Sequence, residues 1–363
     1  MEMSKTLPKI DVAENGTKIR TKEEWETVRR PEIIRLFEKN VYGVRPFERL
    51  ENLTFSAEIL NENLPFIQKK VTFFCGGFSF FAHLFLPKNK ENIPVFLYVM
   101  HEYQEDNCDL EHAPLSCPFV PIETIIKRGY GVFIMPTRSI YLDCDHHAEY
   151  KCGVFTLEKE PRTDESWATI SAWSWGLSRL ADYIEENEPA VDKSRLASIG
   201  HSRGGKTALW CGATDTRISY VISNDSGCSG AAVTRGKQGE HVKDITRMTD
   251  WFCENYRKYA NNEDALPVDQ HELLACIAPR LLYVASSSED LWADPEAERL
   301  SCRLAGTAYA YYGKMGVVLP PEPVEIDKAY HEGTIGYHVK SGEHCITEVD
   351  WNCFLNFADL KWK

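Results

Sequence analysis

No stretch of the sequence comes near the roughly 18 consecutive apolar residues that a membrane-spanning helix needs, so a soluble protein with no membrane partner is expected. Positive charge is scarce as well. The 41 Lys and Arg face 54 Asp and Glu, and the net charge of −13 leaves no basic stripe to neutralise phosphates, which argues against a nucleic-acid partner. The acidity names no cationic substrate, since surface acidity ordinarily serves solubility. The 12 cysteines include no CxxC pair. Most, such as Cys75, Cys211, Cys253 and Cys276, lie in apolar or helical stretches, so free thiols in a reducing compartment are expected. The N-terminal MEMSKTLPKIDVAENG lacks the apolar core of a secretory signal, and a cytoplasmic location follows unless a leader has been removed. Internal repeats and low-complexity linkers are missing too.

What is present is ordinary for a globular protein, with 43% hydrophobic and 26% charged residues in 363. Short apolar runs at 94–100, 131–135, 196–199, 220–223 and 281–286 read as strands buried on both faces. Gly76-Gly77 between 71–75 and 78–86 signals a hairpin. Helical patterns fall at 121–128, 165–187 with Asp164 as N-cap, 242–260 and 350–360. Residues 23–41 read as a helical region interrupted near Pro31, and 137–161 as a long polar loop. Strands alternating with helices imply a mostly parallel sheet sandwiched between helices. We expect one α/β domain over 1–363, with 1–60 as an N-terminal helical embellishment.

The stretch RLASIGHSRGGKTALW, residues 195–210, carries the chemistry. A short apolar run leads into Gly200-x-Ser202-x-Gly204 and then a helical alternation, the pattern of a nucleophile elbow that lifts a serine clear of the sheet. Free N–H groups at the helix start can stabilise an oxyanion beside Ser202. A serine nucleophile needs a base and an acid to orient it, in the chain order Ser, acid, His for such sheets. Of the late histidines, His338 sits inside the strand-like IGYHV, His331 in a polar turn, and His344 on a loop before the closing helix. His344 has the location a base requires. Asp290, after the 281–286 strand, and Asp225, after 220–223, both suit the orienting acid, while Glu289 and Asp294 read as solvated loop charge.

Two other patterns point elsewhere. GHSRGGKT also matches the phosphate loop G-x-x-x-x-G-K-[ST], with Asp225 as a Walker-B stand-in, so a nucleotide-binding protein is the reading from another class. The Ser/His/Asp set and the lack of any other switch-like signature count against it. The cluster Asp143-Cys144-Asp145-His146-His147 has no second ligand set at standard spacing and reads as polar loop. No metal and no cofactor are expected.

GHSRGGK resembles the G-[CH]-S-R-x-G-K signature of the glucuronoyl esterases, carbohydrate esterase family 15, and their bacterial relatives. Arg directly after the serine and Lys four residues after it make this more specific than GxSxG. The likeness extends from about Trp167 to the C-terminus, through NDSGCSGAA, SEDLWADPE and GYHVKSGEHCITEVDWNCFLNFAD. It implies an α/β-hydrolase fold and metal-free hydrolysis of (4-O-methyl)glucuronic acid esters through an acyl-enzyme. It also implies Ser202 as nucleophile, His344 as base, Arg203 as oxyanion donor, and Lys206, Glu240 and Trp292 as sugar-binding residues. Fungal members carry Glu where Asp225 stands, and some relatives use an Asp matching Asp290; this chain has an acid at both, with Asp290 placed ahead. The expected partner is thus a uronic-acid ester carbohydrate. A carbohydrate deacetylase and a catalytically silent carbohydrate binder are the alternatives.

Overall fold

A computed structural model describes residues 7–61, 64–143, 150–248, 250–321 and 323–362. Its strands are β1 Thr54–Asn61, β2 Phe66–Cys75, β3 Phe78–Pro87, β4 Ile93–Met100, β5 Gly131–Pro136, β6 Val191–His201, β7 Ile218–Asn224, β8 Leu281–Ser287, β9 Ala329–Tyr330 and β10 Ile335–Lys340. They form one sheet in the order β1-β2-β3-β5-β4-β6-β7-β8-β10-β9. From β5 to β10 every pairing is parallel, and β1, β2 and β3 are added antiparallel at one edge.

The apolar runs are strands because both faces are covered. In β4, Val95, Leu97 and Val99 face one core, shared with Trp173 and Leu177 of helix Thr169–Asn187 and with Leu209 and Trp210 of helix Arg203–Thr214. Phe96 and Tyr98 face the other, with Ile125, Trp351 and Phe354. Two-residue alternation thus sorts a continuous apolar run between two helical layers. Among the described residues no helix is long and apolar enough to cross a membrane.

Several expectations need correction. The N-terminal helical region runs from Lys22 to Tyr42, widening into π turns at Trp25–Arg29 and Glu38–Tyr42. The first of these lies directly before the α segment Arg30–Phe37, in whose opening turn Pro31 falls without breaking the helical region. The helical embellishment does not fill 1–60, because Thr54–Asn61 is the edge strand; its mostly exposed side chains hid it from a search for apolar alternation. The helix expected from 165 begins at Thr169 with Ala168 as its cap, and Asp164 lies upstream. The helix expected over 242–260 is two pieces, α at Val242–Met248 and 3-10 at Glu254–Tyr259. Cys108 and Cys117 form a disulfide with Cα atoms 4.8 Å apart, in the connection after β4. This overturns the expectation that all cysteines are free and weakens the ground on which a reducing compartment was inferred.

The elbow turn is as tight as the motif requires. A Cβ at Gly200 would lie 2.2 Å from the Gly204 carbonyl oxygen and 2.7 Å from a Val99 methyl, so no side chain fits unless the backbone moves. Gly200→Ala should therefore lower unfolding free energy by about 3 kcal/mol or more, at the upper end of overpacking costs, measured by urea denaturation. A loss under 1 kcal/mol would show that the turn can relax.

Candidate active site

Ser202 stands alone between β6 and the helix Arg203–Thr214, with φ 57° and ψ −124°. A positive φ is uncommon for a residue with a side chain and is held here by its neighbours. Its N–H donates to the Asn224 carbonyl at 2.8 Å, and its own carbonyl accepts from Gly205 N at 2.9 Å and Lys206 N at 3.2 Å. Arg203 is the first helical residue, so its N–H has no partner within the helix and the dipole points its positive end at this spot.

His344 lies in the turn between β10 and the closing helix Glu348–Lys361. Its Nδ1 is 2.6 Å from Asp290 Oδ2, while Asp290 Oδ1 accepts from Ala293 N at 3.1 Å. Burial pushes the Asp290 carboxyl up, but hydrogen bonding to His344, the imidazole's charge and the Ala293 N–H outweigh it and leave the pKa below its usual value. Asp225 is different. Its side chain is fully buried, Oδ2 accepts from Ser287 Oγ at 2.8 Å, and Oδ1 has no hydrogen-bond partner among the described residues. Burial and then the Glu298 charge push its carboxyl well above the ordinary range. Polar atoms of Asp225, Asp290 and His344 lie within 4.8 Å of one another, but a metal would have to displace the His344–Asp290 hydrogen bond to use them.

A cavity of about 360 Å³ brings together all eight residues singled out from the sequence: Ser202, Arg203, Lys206, Asp225, Glu240, Asp290, Trp292 and His344. Lys206 is buried, donates to the Ser226 carbonyl at 2.7 Å and lies 3.5 Å from Glu240. So engaged, it is not the free phosphate-loop lysine that the GKT match suggested. Trp292 is 56% exposed at the mouth, and its carbonyl accepts from Glu240 N at 2.9 Å.

Sequence reasoning missed Trp251, which also lines the cavity, and the part played by Asp143. Asp143 pairs with the Arg203 guanidinium and accepts from Trp251 Nε1 at 2.9 Å. The other residues of the cluster, 144–147, lie outside the described residues. Asp294, expected to be solvated, is buried; it caps helix Pro295–Ala310 and accepts from Gln238 N at 2.9 Å, tying the Glu240 segment to the Trp292 turn. Glu289 is exposed as expected.

Behind the site lies a buried polar network. Asp350 accepts from Thr347 N at 2.8 Å and Thr347 Oγ1 at 2.9 Å, from His338 Nε2 at 3.0 Å and from Asn224 Nδ2 at 3.3 Å. Asn224 Oδ1 holds His201 Nδ1 at 2.6 Å, and the His201 ring lies 4.5 Å from that of His344. Burial, then the His344 and His101 charges, keep His201 neutral by lowering its pKa well below the usual value. His338 is therefore a strand histidine paired to Asp350. His331 meets the Tyr283 hydroxyl at 3.0 Å on the far side of His338 from the site.

An open, mostly parallel sheet with a serine on a strained strand-to-helix turn, and an Asp–His pair beside it, defines an α/β-hydrolase with the equipment of a carboxylic ester hydrolase. A family model described as glucuronyl esterase, fungi, matches residues 155–316. Carbohydrate esterase MZ0003, from an unknown prokaryotic organism, is 34% identical over 98% of this chain and 89% of its own length. The solved glucuronoyl esterase from Solibacter usitatus superimposes with a TM-score of 0.86 at 32% identity, covering 98% of each chain. The 4-O-methyl-glucuronoyl methylesterase of Podospora anserina is 35% identical over a shorter stretch, 36% of this chain and 29% of its own length. The chain belongs to the glucuronoyl esterase family, carbohydrate esterase family 15.

The network sets a pH dependence. Burial lowers the His338 pKa, but hydrogen bonds to Asp350 and Cys353 and their charges outweigh it and raise the value to about 9. A raised folded-state pKa contributes stability that is fully present below the unfolded value of about 6.5 and is lost as pH rises through 9. The melting temperature should fall over that window, and His338→Gln should flatten that part of the curve. An unchanged slope in the variant would assign the fall to other groups.

Proposed function

We propose that this protein hydrolyses esters of a glucuronic-acid carboxyl group through an acyl-enzyme on Ser202. The observation that carries the mechanism is the 2.6 Å His344–Asp290 hydrogen bond in the same cavity as the strained serine. With Nδ1–H given to Asp290, the other ring nitrogen is free to accept the Ser202 proton. Ser202 Oγ attacks the ester carbonyl, and the Arg203 N–H and guanidinium stabilise the oxyanion. His344 then returns the proton to the departing alcohol. Water repeats the sequence in reverse and frees the uronic acid.

The substrate class rests on the relatives and on the cavity wall. The fungal relatives are named for 4-O-methyl-glucuronoyl methylester cleavage. Buried Lys206 and half-buried Glu240 offer a donor and an acceptor to ring hydroxyls. Trp292 presents an exposed aromatic face suited to the apolar side of a sugar ring.

Kinetic measurements test this reading. Methyl or benzyl glucuronate should be cleaved far faster than an acetylated sugar, and Ser202→Ala should abolish turnover; unchanged turnover in that variant would refute the mechanism. Asp290→Asn should reduce kcat by roughly 10³- to 10⁴-fold, the cost of losing a triad acid. Asp225→Asn should cost less than about tenfold, because an amide mimics a carboxyl held toward its neutral form. A reversal of the two effects would make Asp225 the orienting acid.

A further inference from the structure

We propose that Asp143 is a positioning residue for Arg203. Together with the Trp251 indole it clamps the guanidinium so that the Nε–H remains as the donor to the developing oxyanion. The proposal rests on the reading of Arg203 as an oxyanion donor.

The clamp uses both oxygens of one carboxylate. Asp143 Oδ2 pairs with Arg203 Nη1, and Oδ1 accepts from Trp251 Nε1 at 2.9 Å. Arg203 Cζ also lies 4.5 Å from the centroid of the Trp251 ring, so the guanidinium is fixed along one edge and over one face. The Asp143 side chain is only 1% exposed, while that of Arg203 is 31% exposed, so the buried carboxylate anchors a guanidinium that still reaches the cavity. Trp251 is itself anchored, because its carbonyl accepts from Ile170 N at 3.1 Å in the first turn of the long helix Thr169–Asn187. Three chain segments thus converge on one side chain.

What they leave over points to function. Among the described residues Arg203 Nε is buried and has no hydrogen-bond partner, although Nη1 is engaged. A buried unpaired donor on a charged group is costly, and it is tolerated where a ligand atom completes it. Arg203 lines the same cavity as Ser202 and His344, where the ester carbonyl must sit. A guanidinium held in place before the reaction needs no reorganisation as charge develops, which is the condition under which a donor lowers a barrier. Because Asp143 offsets its charge, Arg203 acts here by direction more than by net charge.

The test is a double-mutant cycle on methyl glucuronate, with kcat and KM measured separately. Asp143→Asn keeps the shape and removes the charge. It should lower kcat about 10- to 100-fold, the cost of a misplaced catalytic group, with KM changed less than about twofold. In the Arg203→Ala background the same substitution should have no further effect. Trp251→Phe keeps the ring but deletes the N–H that holds Asp143; it should lower kcat in the same sense, and it decides the matter if Asp143→Asn does not fold. The clamp is overturned if neither variant lowers kcat, if the loss appears in KM alone, or if the losses of Asp143→Asn and Arg203→Ala multiply. If Arg203→Ala alone leaves kcat unchanged, the oxyanion role fails and the clamp with it. Loss in Arg203→Ala without loss in Asp143→Asn and Trp251→Phe sinks only the clamp.

Discussion

At Gly200 the strand and the helix that leaves it approach so closely that a methyl group would sit 2.2 Å from the Gly204 carbonyl oxygen. The rest of the site depends on that approach. With β6 and its helix pressed together, the single residue joining them must turn sharply, and Ser202 takes a φ of 57°. Buried β4 and β7 flank β6 and hold the turn, and the hydrogen bond from Ser202 N to the Asn224 carbonyl closes it on the β7 side. Strain of this kind persists only where surrounding structure over-determines it. Here the surroundings are two cores packed against opposite faces of the same strands.

The histidine is positioned by different means, since its loop has no sheet around it. Asp350 does much of this work from inside the protein. Its carboxylate caps the helix just after His344 and also anchors Asn224, which holds the His201 ring against the His344 ring. The proton positions follow. Asn224 donates its amide to Asp350, so its oxygen must accept, and His201 must carry its proton on Nδ1. One carboxylate thereby ties down both the loop that carries His344 and the tautomer of the ring beside it.

Much of this was legible because local pattern and global role coincide. Strands buried on both faces leave apolar runs, and an elbow leaves glycines at fixed spacing, so β4 to β8 and residues 200–206 could be read directly. The eight candidate residues were reached partly by those rules and partly by family likeness, and they line a single cavity. What escaped was whatever depends on distant partners. Thr54–Asn61 is a strand only because β2 offers it an edge. Asp294 looked like solvated charge until the 238 segment folded over it. Asp143 lies 60 residues from Arg203 in sequence, within a polar run whose composition gives no sign of the contact. Cys108 and Cys117 pair across a nine-residue separation that matches no short cysteine motif.

The two aspartates near His344 show why residue type alone could not assign the acid. Both sit at strand ends of the sheet, and both bring an oxygen within 4.8 Å of the imidazole. Their surroundings push them apart. Asp290 is buried but lines the cavity; it shares a short hydrogen bond with the histidine and receives a backbone N–H, and both favour the anion. Asp225 is enclosed, faces the Glu298 charge and has one oxygen with no donor among the described residues, which favours the neutral acid. An imidazolium forming on His344 is stabilised by a charge, and only the first environment sustains one without loss. Environment therefore sets two identical side chains apart, and it favours Asp290 over Asp225 as the partner of a charged His344.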